Sequence, residues 1–253
     1  MAQYSAPALD KGLDILEFLS IQATPQSQVE ISKGVDRSSN EIYRMLLCLE
    51  ERDYLHRDSK TGKYSLSLKL YQLAHRHSPV DALKKAAYNP MEQLSAHLRE
   101  SCHLSTLYRN KLLVVAQSRS PDPVALSIEE GGLFHLTKTT SGRIMLSFLD
   151  EIEILKVLKY DKYFNKMSAA KRKQFLSDIV TVRKDGYDIR ESGTTFGVTN
   201  IAVPVGNKDS GVMASLTVSI LTAQNKLVSF DDLVKKAMKA ASRINRELGL
   251  EPG

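Results

Sequence analysis

The chain has 253 residues, 42% of them hydrophobic and 25% charged, a globular mix that excludes a disordered chain, a collagen and a coiled-coil rod. No run approaches the roughly 18 apolar residues that a membrane span needs, and Met1 to Lys11 has neither an apolar core nor a small-residue cleavage site, so no signal peptide is expected. Two cysteines, Cys48 and Cys102, make neither a disulfide framework nor a four-cysteine zinc site. A reducing cytoplasm is the expected setting. The net charge of +6 leans toward an anionic partner. Yet residues 1–78 balance 10 Lys/Arg against 10 Asp/Glu, so the whole excess lies in residues 79–253.

A first helix is expected from the stripe Leu9, Leu13, Leu16 and Leu19, ending near Ser20. Ile21 to Ser27 reads as a loop. A short helix then carries Val29 and Ile31 and stops at Gly34, a residue common just past helix ends because it tolerates positive φ. Ser38-Ser39-Asn40-Glu41 is a capping box, in which Ser38 accepts from a first-turn N–H and Glu41 reaches back. The helix that follows turns Ile42, Met45, Leu46 and Leu49 inward and Asn40, Tyr43, Arg44 and Leu47 outward. Tyr54 to Arg57, a turn at Asp58 to Gly62, and Lys63 to Leu66 form a hairpin.

Any one amphipathic helix is ordinary packing, and a capping box alone is common. The ordered set of two helices, a turn, a capped helix and a basic hairpin is the pattern of a winged helix-turn-helix. It also polarises a neutral segment. Asp10, Asp14, Glu17 and Glu30 lie on the first two helices, while Arg37, Arg44, Arg57, Lys60 and Lys63 lie on the recognition helix and wing. On this reading Arg37, Ser38, Ser39, Asn40, Tyr43 and Arg44 meet double-stranded operator DNA, and Arg57, Lys60 and Lys63 meet phosphate.

A helix leads out of the hairpin through Leu66 to Ala74, and His75 to Pro79 reads as a linker. A long helix follows over Val80 to Arg99, broken or kinked near Pro90, with Met91, Leu94 and Leu98 inward. Strands are expected at His103 to Tyr108 and Leu112 to Gln117, with a weaker one at Ala125 to Ile128. Thr139 to Arg143 opens a helix running through Leu149. Lys156 to Lys184 is helical with loops and carries nine Lys/Arg against two Asp, the pattern of a solvated face. Strands return at Ile201 to Val205 and Met213 to Ile220, and Ser229 caps a last helix with Val234, Met238, Ala241, Ile244 and Leu248 on one side. Helices at both ends of a strand-rich segment imply an α+β chain with one antiparallel sheet.

The chain resembles the isocitrate lyase regulator (IclR) family of bacterial transcription factors over essentially its whole length. The segments that carry the resemblance are Ala8 to Leu16, Tyr43-Arg44-Met45-Leu46 with Leu49-Glu50-Glu51, Gly62 to Leu66, Thr140-Ser141-Gly142-Arg143, Gly186-Tyr187, Gly197-Val198-Thr199-Asn200 and Ala202-Val203-Pro204-Val205. Each is short, and their order and spacing make the match specific. The resemblance implies a winged helix-turn-helix domain with a linker helix over 1–78 and a GAF-like effector-binding domain over 79–253. It also implies homodimers, often paired into dimers of dimers. Three positions depart from the family pattern. Asp53 stands for the usual Gly after the recognition helix, Gln117 for an arginine and Arg190 for an acid.

The same resemblance places an effector pocket at Thr140, Ser141, Arg190, Val198, Asn200, Thr217 and Ser219. The residues themselves agree in part. Thr217 and Ser219 share one strand face, and Thr140-Ser141 opens a helix whose free N–H groups and dipole favour an anion. Arg190 could add a bidentate carboxylate contact. The expected effector is therefore a small organic acid. The plainer alternative leaves Thr217 and Ser219 facing solvent and Arg190 on a surface loop.

There is no phosphate-binding GxxxxGK[ST] loop, no GxGxxG, no GxSxG and no HExxH. His97, His103 and His135 lack thiolate partners or paired spacing, so neither a metal nor another cofactor is expected. The leading expectation is a ligand-responsive transcriptional regulator that is not an enzyme and has no membrane contact. The alternative is a metabolite-binding signalling protein or small-molecule enzyme whose winged helix contacts protein.

Overall fold

Residues 6–75, 79–221 and 229–250 are described in the computed structural model, and the chain divides into two compact units, 1–78 and 79–253. Most of the linker expected at His75 to Pro79 lies outside the described residues.

In the first unit α1 (Pro7–Ser20), α2 (Gln28–Gly34) and α3 (Ser39–Glu51) close around Ile15, Leu19, Ile31, Ile42, Leu46, Leu55 and Tyr64. The Ser38/Glu41 capping box forms in both directions, and so does a second at Ser27/Glu30 that opens α2. Gly34 is the last residue of its helix, and Val35 follows it without a left-handed turn. The glycine makes room for a side chain instead: a Cβ there would sit 2.1 Å from the Phe18 ring, which would have to shift. Asp53 takes the left-handed turn (φ 61°) expected of the family's glycine position. β1 (Leu55–Arg57) and β2 (Tyr64–Leu66) pair antiparallel, with Gln26 bridging to Tyr64 on the other side. The hairpin turn is built by Asp58, whose carboxylate accepts from the amides of Lys60 and Thr61 and from the Thr61 hydroxyl. α4 (Lys69–His75) follows.

The second unit is a six-stranded antiparallel sheet in the order β5-β4-β3-β8-β7-β6. Its strands are β3 (Ser101–Tyr108), β4 (Lys111–Ser118), β5 (Leu133–Phe134), β6 (Asp188–Glu191), β7 (Val198–Asn207) and β8 (Val212–Leu221). The strand expected at Ala125 to Ile128 is absent; those residues are irregular, and the edge strand is instead β5. Backbone pairing there is replaced by side chains. Gln117 donates to Ser127 Oγ and accepts from the Ile128 amide, and Ser101 donates to the Leu126 carbonyl. β6, which was not expected, brings Arg190 opposite Asn200.

One sheet face is apolar. Cys102, Leu104, Ile201, Val203, Leu216 and Val218 pack with α5 (Pro79–Leu98) and α10 (Phe230–Glu247). α5 stays helical through Pro90, so the helix is not broken there. Ser229 occupies the N-cap position of α10, but its hydroxyl makes no capping bond.

The other face is covered by α6 (Thr140–Ser147), α7 (Glu151–Leu158), α8 (Lys162–Asn165) and α9 (Ala169–Asp185), whose core is Leu136, Met145, Leu146, Leu158, Phe164, Phe175 and Ile179. Here β8 turns Ser215, Thr217 and Ser219 inward, all buried. α6 approaches very closely. A Cβ on Gly142 would lie 2.1 Å from the Leu136 carbonyl oxygen, so only glycine lets the helix sit where it does.

Candidate functional site

In the second unit a half-open cavity of about 220 Å³ lies beside the start of α6. α6 begins after Thr139, whose hydroxyl caps the Gly142 amide. As at any helix start, the first amides have no intrahelical partners, and the residues there, Thr140 and Ser141, line the cavity. Thr140, Ser141, His103, Asn200 and Ser219 supply the polar part of the lining, while Leu112, Leu126, Ile128, Phe134 and Val198 supply apolar wall. Ser192, Thr194 and Thr195 complete one rim, and the exposed Glu129 is the carboxylate among the lining residues.

Five of the seven expected effector residues, Thr140, Ser141, Val198, Asn200 and Ser219, come together here. Ser219 donates to Asn200 Oδ1 at 2.8 Å across the β7–β8 pair. Thr217 does not reach the cavity. It is buried beneath α6, bonded to Ser141 Oγ at 2.7 Å and lying 3.4 Å from Ser215 Oγ. The face assignment was right, but the helix covers that part of the face.

Arg190 does not line the cavity either. Its guanidinium binds Asp178 at 2.9 Å and Asp188 at 3.0 and 3.2 Å. Two carboxylates already hold it, so it is not available as a counter-ion. Its neighbour Arg143 lies over the Phe175 ring at 5.0 Å, and burial together with the Arg190 charge lowers its pKa. Burial raises the Asp188 carboxyl against the pull of both arginines. No lysine or arginine lines the cavity among the described residues.

The sequence reading missed His103 as a pocket residue. It is buried, and its Nε2 lies 3.4 Å from Ser141 Oγ. Burial alone pulls its pKa down to about 4, so the imidazole is neutral near neutral pH. A signal existed in the alternation along β3, where Ser101, His103 and Ser105 face one way and Cys102 and Leu104 the other. Ser105 Oγ lies at the buried end of this polar row and finds no hydrogen-bond partner among the described residues.

The three histidines weighed as metal ligands do not meet. His135 stacks edge-on against Tyr163, 3.8 Å from Asp161, and His97 lies in a groove with Lys236, Lys239 and Arg243. Among the described residues no three His, Cys, Asp or Glu side chains are grouped as a metal site would require. Cys102 is buried on the apolar face, its thiol pushed up to about 12 by burial, which leaves it inert.

In the first unit α3 leaves Asn40, Tyr43 and Arg44 exposed, flanked by exposed Arg37 and Ser38. Ser39 departs from the expected outward set. Its hydroxyl donates to Ser32 Oγ at 3.2 Å and its carbonyl accepts from Gln28, so it ties α3 to α2. The basic residues fall into two groups. Arg37 pairs with Asp14 at 3.6 Å and Lys63 with Glu30 at 3.5 Å. Arg44 and Lys60 have no carboxylate partner among the described residues, and Arg57 rests over the Tyr64 ring at 5.4 Å. Glu41 is held down at about 2, chiefly by the Ser38 amide and then by Lys11.

Two family models match this architecture. One, described as the IclR helix-turn-helix domain, covers residues 8–59, and the other, bacterial transcriptional regulator IclR C-terminal, covers 78–246. The HTH-type transcriptional regulator XynR of Escherichia coli K12 is 26% identical over 251 residues, covering 93% of this chain and 96% of its own length. KdgR of the same strain is 26% identical, covering 87% and 84%. Among solved structures, an IclR homologue from Microbacterium hydrocarbonoxydans complexed with 4-hydroxybenzoate superposes with a TM-score of 0.79 at 22% identity, covering 96% of this chain and 99% of that one. The Thermotoga maritima IclR superposes with a TM-score of 0.72 at 19% identity, covering 95% and 98%.

Proposed function

We propose that this chain, which belongs to the IclR family of bacterial transcriptional regulators, senses a small organic acid in its second unit and reports it to operator DNA through its first. It is a DNA-binding regulator responsive to a ligand, and not an enzyme. The acid, the contact residues and the assembly are the proposal, with the cytoplasm as its setting.

The observation that carries the reading is the cavity at the N-terminus of α6, ringed by the hydroxyls of Thr140, Ser141 and Ser219 and the amide of Asn200. A carboxylate taken out of water needs a cation or several donors. The helix start, the Thr140 hydroxyl and the Asn200 side-chain amide would be the donors, with Ser219 donating to Asn200 Oδ1 and so orienting that amide, and the apolar wall would hold the rest of a small amphipathic acid. The relative from Microbacterium holds 4-hydroxybenzoate, a molecule of that description.

On DNA, Asn40, Tyr43 and Arg44 would face base edges, while Arg57 and Lys60 meet phosphate with Ser38 beside the backbone. Arg37 and Lys63 would join by exchanging exposed carboxylates for phosphate. That exchange costs little, because both ion pairs are solvated and screened. A homodimer, alone or as a dimer of dimers, would present two such helices to half-sites about one turn apart.

The test is a thermal-shift screen of small carboxylates against the purified chain. A binder at about 100-fold its Kd adds roughly 2.7 kcal/mol of apparent stability. The neutral amide of each acid serves as the control and is expected to give no shift.

A further inference from the structure

Among the described residues the cavity lacks the one thing an acid site usually has, a fixed cation. Arg190, the only arginine that sequence placed there, is held by Asp178 and Asp188. What the cavity has instead is a buried imidazole, His103, 3.4 Å from the hydroxyl of Ser141 at the first turn of α6. We propose that His103 is the effector's counter-ion, acquired on binding: the cavity takes a monocarboxylate together with a proton, and the acid lies as a carboxylate–imidazolium pair beside Ser141. This rests on the reading of the cavity as an acid site and adds the residue and the proton that complete it.

The surroundings of His103 favour such a pair. Its neighbours across the strands are Gln117 on β4 and Thr217 on β8, both neutral. From α6 it meets Ser141, also neutral, while Arg143 on that helix is turned over Phe175. The charged group among the cavity-lining residues is Glu129, exposed at the rim, and it does not contribute to the shift at His103, which comes from burial alone. Among the described residues none supplies a partner for the charged form of this imidazole, which an arriving carboxylate would. Thr217 occupies the Ser141 hydroxyl from below at 2.7 Å, fixing the side chain that faces the ring.

The empty protein holds neutral His103, the free acid is an anion near neutral pH, and solvent supplies one proton to Nε2 or Nδ1. No other bond forms or breaks. The carboxylate raises the imidazole pKa, so binding takes up a proton between the free value, about 4, and the higher bound value. Affinity therefore strengthens as pH falls through that interval, by up to about tenfold per unit.

The experiment is calorimetric titration of the full chain with acetate, pyruvate, benzoate and 4-hydroxybenzoate at pH 6 to 8. Each titration is run in two buffers of different ionisation enthalpy, with benzamide as neutral control. The expected result is uptake of up to one proton per acid bound, none for benzamide, and tighter binding at lower pH. His103→Gln is expected to abolish the uptake and flatten the pH profile. Binding of an acid by the unaltered chain without proton uptake, at the same affinity across the range, overturns the proposal while leaving the acid site standing. Failure of all four acids to bind at any pH overturns the acid site itself. The measurement on the unaltered chain decides the matter even if the variant does not fold.

Discussion

Burying His103 ties the stability of the second unit to pH, and the size of the effect can be worked out. The imidazole titrates near 6.5 in an unfolded chain and at about 4 in the folded one. Between those values the unfolded state binds more protons, so stability is fully present above pH 6.5 and is lost as pH falls toward 4. The full difference corresponds to about 3 kcal/mol at roughly 1.36 kcal/mol per pKa unit. Carboxylates also titrate near the lower end, so the useful quantity is the difference between the native chain and His103→Gln. A two-unit chain need not unfold in one step, so unfolding in urea should be followed by pulsed hydrogen exchange of the β3 and β8 segments. Carboxylate-free buffer is essential, because an acid in the cavity would cancel the effect. The difference in stability is expected to change by about 3 kcal/mol between pH 7 and pH 4, in favour of the variant at low pH. A difference that stays constant would mean that the imidazole is solvated or paired, and the reasoning would fail.

Other substitutions separate the parts of the account. Ser219→Ala removes a hydrogen bond to Asn200 and is expected to weaken acid binding by about 1 kcal/mol, with operator affinity of the empty protein unchanged. Arg190→Ala should destabilise the second unit, by stranding Asp188 and Asp178, yet leave the tightness of acid binding nearly intact; a large loss in calorimetry would restore it as a ligand contact. Gly142→Ala should cost about 1–3 kcal/mol by overpacking against Leu136, read as a lowered Tm. On DNA, Arg44→Ala should lose about 1–3 kcal/mol and relax one base pair if it makes a bidentate base contact. Lys60→Ala should weaken all duplexes alike and reduce the salt slope by about one unit. A shift in base preference on losing Lys60 would contradict its phosphate role.

The first unit was largely legible because its signals are local. A capping box at Ser38/Glu41, an i, i+3, i+4 stripe and a turn at Asp58 each act within one or two helical turns, and the structure forms all of them. Ser27-Gln28-Val29-Glu30 carries the same S-x-x-E signature at the start of α2. What local pattern could not show was that Ser39, next to the cap, turns its hydroxyl to Ser32 on another helix. The second unit was less legible for the same reason. Strand alternation put Thr217 and Ser219 on one face correctly, but which part of that face α6 covers is a tertiary fact. Thr217 is covered and Ser219 is not. Arg190 had the right chemistry for a carboxylate; its pairing with Asp178 and Asp188 depends on β6 packing beside α9. Sequence raises His103 only as a metal ligand beside His97 and His135, because no motif marks it as lining a cavity. Its alternation with Ser101 and Ser105 was the available clue.

The central claim is that one chain couples an acid in the cavity to DNA on the recognition helix. It is tested most directly by operator affinity, measured by fluorescence anisotropy on a duplex selected with the purified protein, with and without an acid that binds in calorimetry. The account predicts a change of about 5- to 150-fold, the range of a 1–3 kcal/mol coupling, and its reduction in Ser219→Ala at the same acid concentration. An acid that saturates the cavity and leaves operator affinity unchanged would contradict it.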